Sequence, residues 1–251
     1  MTTFGLIEPF LAAVVLASPV VVLDPGHGGV HAGAVAKNGI EEKDVALRVA
    51  KLARKELARA GVKVILTRDK DVYIRLAART AIANRNNADV FISIHANSSP
   101  TDTRRGCETY VLSARASEDV SVAKIHLENE DEEPVRFVNE DQFGGGGHGG
   151  GPVNTILADL KRGTSHRRSA RLAKFVQEAM GSVGSLLPSR GLRQAPFKVL
   201  KGAKMPAALV EMGYLTHPVQ ARQLGSKKTQ KEAAQALARG ILGYLSATGR
   251  R

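Results

Sequence analysis

Three short apolar runs in this chain end at residues that can do chemistry. "VVVLD" runs through a Pro-Gly turn to His27, "VFISI" ends at His95, and "AALV" ends at Glu211. Runs of this length and composition read as buried strands. In a parallel sheet the carboxyl ends of the strands share one edge, where α/β proteins build their sites. Glu42, in "NGIEEKD", is a fourth candidate. It opens a helix just after the loop that carries His27, and such a helix begins near the same edge. Two imidazoles and one carboxylate form the ligand set of a catalytic zinc ion with a position left for water. The ion lowers the pKa of that water toward neutrality, and a second carboxylate can serve as general base and then acid. The chemistry implied is hydrolysis. There is no HExxH and no CxxC, and spacing alone leaves open which carboxylate binds and which moves protons.

The elements that must position these residues follow a βαβα rhythm. "PVVVLD" is a strand. "EKDVALRVAKLARKELARAG" is an amphipathic helix with Val45, Val49, Leu52 and Leu57 at helical spacing, acidic residues at its start and Gly61 at its end. "VKVILTR", "ADVFISIHAN" and "CETYVLS" are further strands, with the helix "IRLAARTAIANRNN" between the first two. "PFKVLKG" and "PAALVEMG" read as two more strands, "RRSARLAKFVQEAM" as a helix and "TQKEAAQALARGILGYL" as a closing helix. The expected fold is a single α/β domain over residues 20–247, hydrolase-like or phosphorylase-like. Its core is a twisted, mostly parallel (mixed) sheet of about six strands with helices on both faces. Between about 113 and 151 the periodicity fails. A helix is expected around 120–129, then an acidic and glycine-rich insertion over about 130–151.

Composition narrows the partners. The 251 residues carry a net charge of +12, which points to a polyanionic neighbour or to solvated basic helix faces. Aromatics are 4% and Trp is absent, so recognition by stacking is disfavoured. Cys107 is the one cysteine, which excludes an intrachain disulfide; its strand-like setting predicts a buried structural thiol. At the N-terminus, residues 1–19 read as a signal peptide or an N-terminal extension. Phe10–Ala17 is apolar and Val15-Leu16-Ala17 could serve as a cleavage site, but no Lys or Arg precedes the run, Glu8-Pro9 interrupts the approach, and it is too short to span a membrane.

The segments "VVVLDPGHGGVHAGA", "NGIEEKDVALRVAKLARKEL", "KVILTRDKDVYIRLAARTAIAN", "ADVFISIHAN", "GCETYVLS", "ENED", "RQAPFKVLKGAKMPAALVEMGYLTHP" and the last helix are together similar to the zinc-dependent N-acetylmuramoyl-L-alanine amidases. The cell-division type of Gram-negative bacteria is the nearest in kind. The resemblance implies one zinc on His27, Glu42 and His95, with Glu211 as the catalytic carboxylate. Glu42 rather than Glu41 is the match, because the family's glutamate directly precedes a lysine. It also implies cleavage of the amide between N-acetylmuramic acid and the L-alanine of peptidoglycan stem peptides, in an exported, periplasmic or envelope setting. In that type of amidase an inserted helix can cover the site, with an acidic side chain on the metal and an activator protein that displaces it. The acidic run Glu130–Glu133, with Glu132 and Glu133 foremost, or Glu140, is the expected regulatory element. His31 and His217 stand where the family more often has Asp and Asn.

Other polar residues have plainer roles in prospect. Asp24 can orient the His27 loop or simply make a turn. Gly26, Gly28 and Gly29 can let backbone approach the metal or substrate. Arg79 and Asn84 suit ties between helix and sheet, and Asn97 suits a substrate contact or a turn cap. His126, His148 and His166 carry no ligand pattern. The rival readings are a basic phosphate- or nucleic-acid-binding protein using "GHGG" as an anion loop, and a non-catalytic wall-binding relative. The first lacks the Lys-Ser/Thr ending of a P-loop and leaves the His and Glu set unexplained, so no nucleic-acid partner is expected. The second keeps all four positions intact for no purpose.

Overall fold

A computed structural model describes residues 18–130, 152–184 and 187–250, with side chains from 164 onward in the long helix that starts at Pro152. The elements are β1 (Val20–Pro25), α1 (Glu42–Arg59), β2 (Lys63–Leu66), α2 (Leu76–Arg85), β3 (Val90–Asn97), β4 (Cys107–Leu112), α3 (Val122–Asn129), α4 (Pro152–Gly181), β5 (Ser189–Ala195), β6 (Ala207–Tyr214), α5 (Pro218–Gly225) and α6 (Lys227–Ala247). The expected N-terminal extension falls outside the described residues except for its last two.

The six strands form one sheet in the order β2-β1-β3-β6-β4-β5. β2, β1, β3 and β6 are mutually parallel; β4 runs antiparallel to β6, and β5 is parallel to β4. The sheet is therefore mixed, as expected. β1, β3 and β6 are buried on both faces, which explains why they read as continuous apolar runs. Helices α1, α6 and α4 pack side by side on one face over Val21, Leu23, Ile92, Ile94, Val210 and Met212. The other face holds Val22, Phe91, Leu209 and Tyr110 under α2, α3 and a short 3-10 turn at Lys198–Leu200. Each large side chain in these clusters contributes about 1.5–3 kcal/mol by leaving water.

One strand assignment needs correction. "PFKVLKG" is not a strand: Phe197, Val199 and Leu200 are all buried on the same side, and the chain makes one 3-10 turn there. Adjacent residues of a strand point to opposite faces, so Val199 and Leu200 could not both be buried in this one-sided way on a strand. The sixth strand is β5, "SRGLRQA", an edge strand with an exposed, poorly apolar pattern. Two helices exceed or escape expectation. α4 starts fifteen residues before Arg167, at Pro152, and α5 is added between β6 and α6. His217 caps α5, its Nδ1 accepting from the backbone N–H of Val219 and Gln220.

Candidate active site

Strand alternation builds the site. Val22 then Asp24 on β1, Phe91, Ser93 and His95 on β3, and Leu209 then Glu211 on β6 share one face. Deep in the sheet this row is apolar; at the carboxyl end it turns polar. His95, Glu211 and Glu108 of β4 lie in one rung across three strands. The sheet edge thus collects polar side chains on the face that α3 covers.

His27 sits in the loop after β1 with φ of 55°, in the left-handed region. Two buried guanidinium groups hold this loop. Arg79 donates to Asp24 Oδ1 at 2.9 Å, to the Pro25 carbonyl at 2.8 Å and to the His27 carbonyl at 2.9 Å. Arg68 donates to the carbonyls of Pro25 at 3.0 Å and Gly26 at 2.7 Å, and to Lys43 of α1 at 2.8 Å. Asp24 also accepts from Thr67 and Ser93. Burying such charges is costly unless they are compensated: Arg79 pairs with Asp24, and Arg68 donates to several backbone carbonyls. Arg79 is therefore more than a tie between helix and sheet. Gly26 crosses against the His95 ring, where a Cβ would collide with the imidazole; at Gly33, φ is +69° and a Cβ would meet Glu42 and His27.

The structure brings His27, Glu42 and His95 together. His27 Nε2 lies 3.2 Å from Glu42 Oε1, and His95 Nδ1 lies 3.0 Å from the same oxygen. Glu42 Oε2 accepts from Ala34 N at 2.8 Å and Oε1 from Ala96 N at 2.9 Å, which fixes the carboxylate. Ser93 spends its proton on the Asp24 carboxylate, so it accepts from His95 Nε2, 3.1 Å away. That partner leaves Nδ1 as the nitrogen facing the cluster, the kind of outer contact that orients metal-bound imidazoles. A fourth residue joins the group. Glu128 of α3 lies 2.9 Å from His95 Nδ1 and 3.8 Å from His27 Nε2, and the four potential ligand atoms lie within 4.8 Å of one another. Ligands about 2.1 Å from a tetrahedral zinc would be about 3.4 Å apart, in the range of these contacts. His27 Nε2 and Glu128 Oε2 are buried and lie at ion-pair distance from Glu42 and His95, but none of these approaches has hydrogen-bond geometry. The donor set and these orphaned atoms fit a divalent cation.

Electrostatics agree. Burial alone would pull His95 down, but Glu128 and Glu42 hold it well above its ordinary value, and Glu42 and Glu128 raise His27 against the same penalty. Burial pushes Glu42 up, yet the two imidazoles hold it well below its ordinary value. Such a cluster favours positive charge at its centre, and a metal ion can replace the protons.

Glu211 is fully buried on β6. Burial, with Glu128 and Glu42 nearby, pushes it up to about 7, although Lys124 and His95 pull the other way. Its Oε1 accepts from Lys124 Nζ at 2.7 Å, and its Oε2 has no partner. A carboxyl group near neutrality is suited to taking and returning a proton. Asn97 is buried and donates to Glu108 at 3.2 Å, so its amide faces the interior. Glu108 also accepts from Tyr110 at 2.6 Å, Tyr214 at 3.2 Å and Arg190 at 2.6 Å.

Lys124 and Glu128 both come from α3, one turn apart and on one face. Sequence reasoning placed a helix here but put the regulatory carboxylate later. Glu132, Glu133 and Glu140 lie outside the described residues, and Glu130 is exposed at the rim of the cavity. The signal that could have found Glu128 was the "ENED" match, which begins at it. With α3 in place, the space between His27, His31, Tyr73, Leu76, His95, Glu128 and Val199 is about 20 Å³, about enough for one water. His31 stacks on Tyr73 with ring centroids 4.5 Å apart and is not among the four clustered ligands. His126 is exposed, His166 contacts the Leu112 carbonyl, and His148 lies outside the described residues. Cys107 is buried as expected, and burial pushes its thiol up to about 11.

The chain as a whole is similar to known proteins. The family described as "Amidase_3: N-acetylmuramoyl-L-alanine amidase" matches residues 21–243. N-acetylmuramoyl-L-alanine amidase AmiC of Neisseria meningitidis is 35% identical over 91% of this chain and 53% of its own length. AmiA of Escherichia coli is 34% identical over 90% of this chain and 75% of its own length. This chain therefore spans about half of the first relative and three quarters of the second. The solved amidase AmiC2 of Nostoc punctiforme is 32% identical, with a TM-score of 0.66 over 92% of this chain and 99% of that one. With nearly the whole described sheet inside the match, the chain belongs to the N-acetylmuramoyl-L-alanine amidase family.

Proposed function

We propose that this chain is a zinc-dependent hydrolase of the cell envelope. It cleaves the amide between the lactyl group of N-acetylmuramic acid and the L-alanine of the peptidoglycan stem peptide. The observation that carries this reading is the meeting of His27, Glu42 and His95 beside a buried Glu211 in a chain of this family. His27, Glu42 and His95 are the residues that would hold the ion. When bound, zinc supplies Lewis acidity and lowers the pKa of water toward neutrality. Glu211 takes the proton of the attacking water and returns it to the nitrogen of the leaving L-alanine. Arg79 and Arg68 keep His27 in place, and Ser93 with Asp24 orients His95. Among the described residues no helix is long and apolar enough to cross a membrane. The basic charge suits retention on an anionic wall.

The same reading gives α3 a regulatory role. Glu128 stands where a substrate carbonyl would approach the ion, Lys124 occupies Glu211, and the remaining cavity is too small for a peptide. The helix thus acts as a plug that an activator protein displaces. Metal analysis paired with a digest of purified peptidoglycan tests the function. The expected result is one zinc per chain and release of stem peptides that stops with chelator. Release without metal, or no release after α3 is unlocked by Glu128→Ala, would count against it.

A further inference from the structure

Hydrolysis of an amide makes two charged groups where there was one neutral bond. The C–N bond breaks, a C–O bond forms, and the protons of water end on the amine. One product is a carboxylate and the other is an ammonium, here the freed N-terminus of the stem peptide. This reasoning rests on the hydrolysis proposed above. α3 inserts the same pair of groups into the site. Its carboxylate, Glu128, lies 2.9 Å from His95 Nδ1, and its ammonium, Lys124 Nζ, lies 2.7 Å from Glu211 Oε1. A group that hands a proton to the leaving nitrogen must be within hydrogen-bond reach of it. Lys124 Nζ sits at such a place, on Glu211 Oε1.

The walls of that place are built for a cation. Lys124 Nζ lies 4.8 Å from the centroid of the Tyr110 ring and 6.0 Å from that of Phe197. The two rings pack edge to face, 5.1 Å apart, and Tyr110 is pinned through its hydroxyl to Glu108. Both rings are buried, and the Lys124 side chain is only 9% exposed. Ring faces attract a cation and gain little from a neutral amide. We propose that Glu211, Tyr110 and Phe197 form a subsite for the α-ammonium of the released stem peptide, and that Lys124 is its built-in mimic. The subsite favours the nitrogen as it becomes charged. It also makes free stem peptides with an N-terminal L-alanine amine competitive with α3.

The test measures binding, not turnover. The full chain carrying Lys124→Ala and Glu128→Ala is titrated calorimetrically with a synthetic stem tripeptide that begins with free L-alanine, and with its N-acetylated twin. The free amine is expected to bind about tenfold tighter. Adding Phe197→Leu is expected to erase most of that preference without changing zinc content or the melting temperature by more than a few degrees. Should Phe197→Leu fail to fold, Tyr110→Leu takes its place. Equal affinity for the two peptides, binding of neither, or a preference that survives loss of the ring would overturn the subsite. Peptidoglycan digestion by the same unlocked variant reports separately on the amidase reading, so the two can fail independently.

Discussion

The sheet-borne half of the site and the helix that covers it are held in contrasting ways. His27, Glu42, His95 and Glu211 stand on β1, α1, β3 and β6 or the turns directly beside them. Arg68, Arg79, Asp24, Ser93 and backbone N–H groups fix the first three from below, and Glu211 is placed by its buried strand. α3 has eight residues, too few to be stable alone. It is held by Ile125 against the core, by Asn129 bonded to Pro196 and Lys198, and by its two charged side chains in the site. On the proposed function, the difference makes the catalytic set the preformed part and access the adjustable one. Detaching α3 leaves the strands and the arginine frame untouched.

The largest effects should come from the fixed half. Glu211→Ala is expected to lower kcat by roughly 10²–10⁴-fold while zinc, measured by mass spectrometry, stays bound. Zinc loss in that variant would move Glu211 from proton transfer to metal binding. Arg79→Met removes the partner of buried Asp24 and the clamp on the His27 carbonyl. Breaking such a pair should cost about 3–5 kcal/mol in urea unfolding and should weaken zinc affinity as well. Unchanged zinc affinity would show that the His27 loop does not need its frame.

The same contrast explains what the sequence made legible. Strand ends were readable because a fully buried parallel strand is an apolar run, and a His or Glu at its end stands out against it. About six strands were expected and six occur among the described residues, but one expectation failed at "PFKVLKG", whose apolar residues are buried together in a 3-10 turn. The true sixth strand, "SRGLRQA", is an edge and carries little apolar signal. Glu128 was not legible for a different reason. A glutamate on a short polar helix looks solvated, and only docking onto the sheet buries it. Arg79 was similarly ambiguous, since nothing in its helix tells that three of its contacts lie on the end of β1 and the His27 loop that follows it. Close approach of backbone was readable at Gly26, although its target, the His95 ring, was not; the packing of Gly33 against Glu42 and His27 carried no signal that was read.

Loosening the plug should give a smaller effect of opposite sign. Glu128→Ala removes a charge-assisted contact, and basal release of stem peptides from purified peptidoglycan should rise about tenfold. Unchanged basal release would mean that α3 does not limit access. Amide hydrogen exchange over 122–129 should quicken in this variant and stay unchanged in β3 and β6. Equal quickening in the strands would erase the distinction between the two halves.

The smallest expected effect probes the floor on which Tyr110 rests. Burial raises Glu108, but bonds from Tyr110 and Arg190 and nearby positive charge hold it below its ordinary value. A carboxyl group lowered on folding contributes stability above its unfolded pKa, and that contribution is lost as pH falls through the folded value. Glu108→Gln keeps the shape and one acceptor but removes the charge. It should cost about 1 kcal/mol at pH 7, and the gap between variant and parent should close as the pH falls below 4, in urea melts at both pH values. A gap independent of pH would mean that the Glu108 network works through shape alone. Tyr110 would then be placed by packing with Phe197, and the fixed half of the site would owe less to its buried charges than the arginine frame suggests.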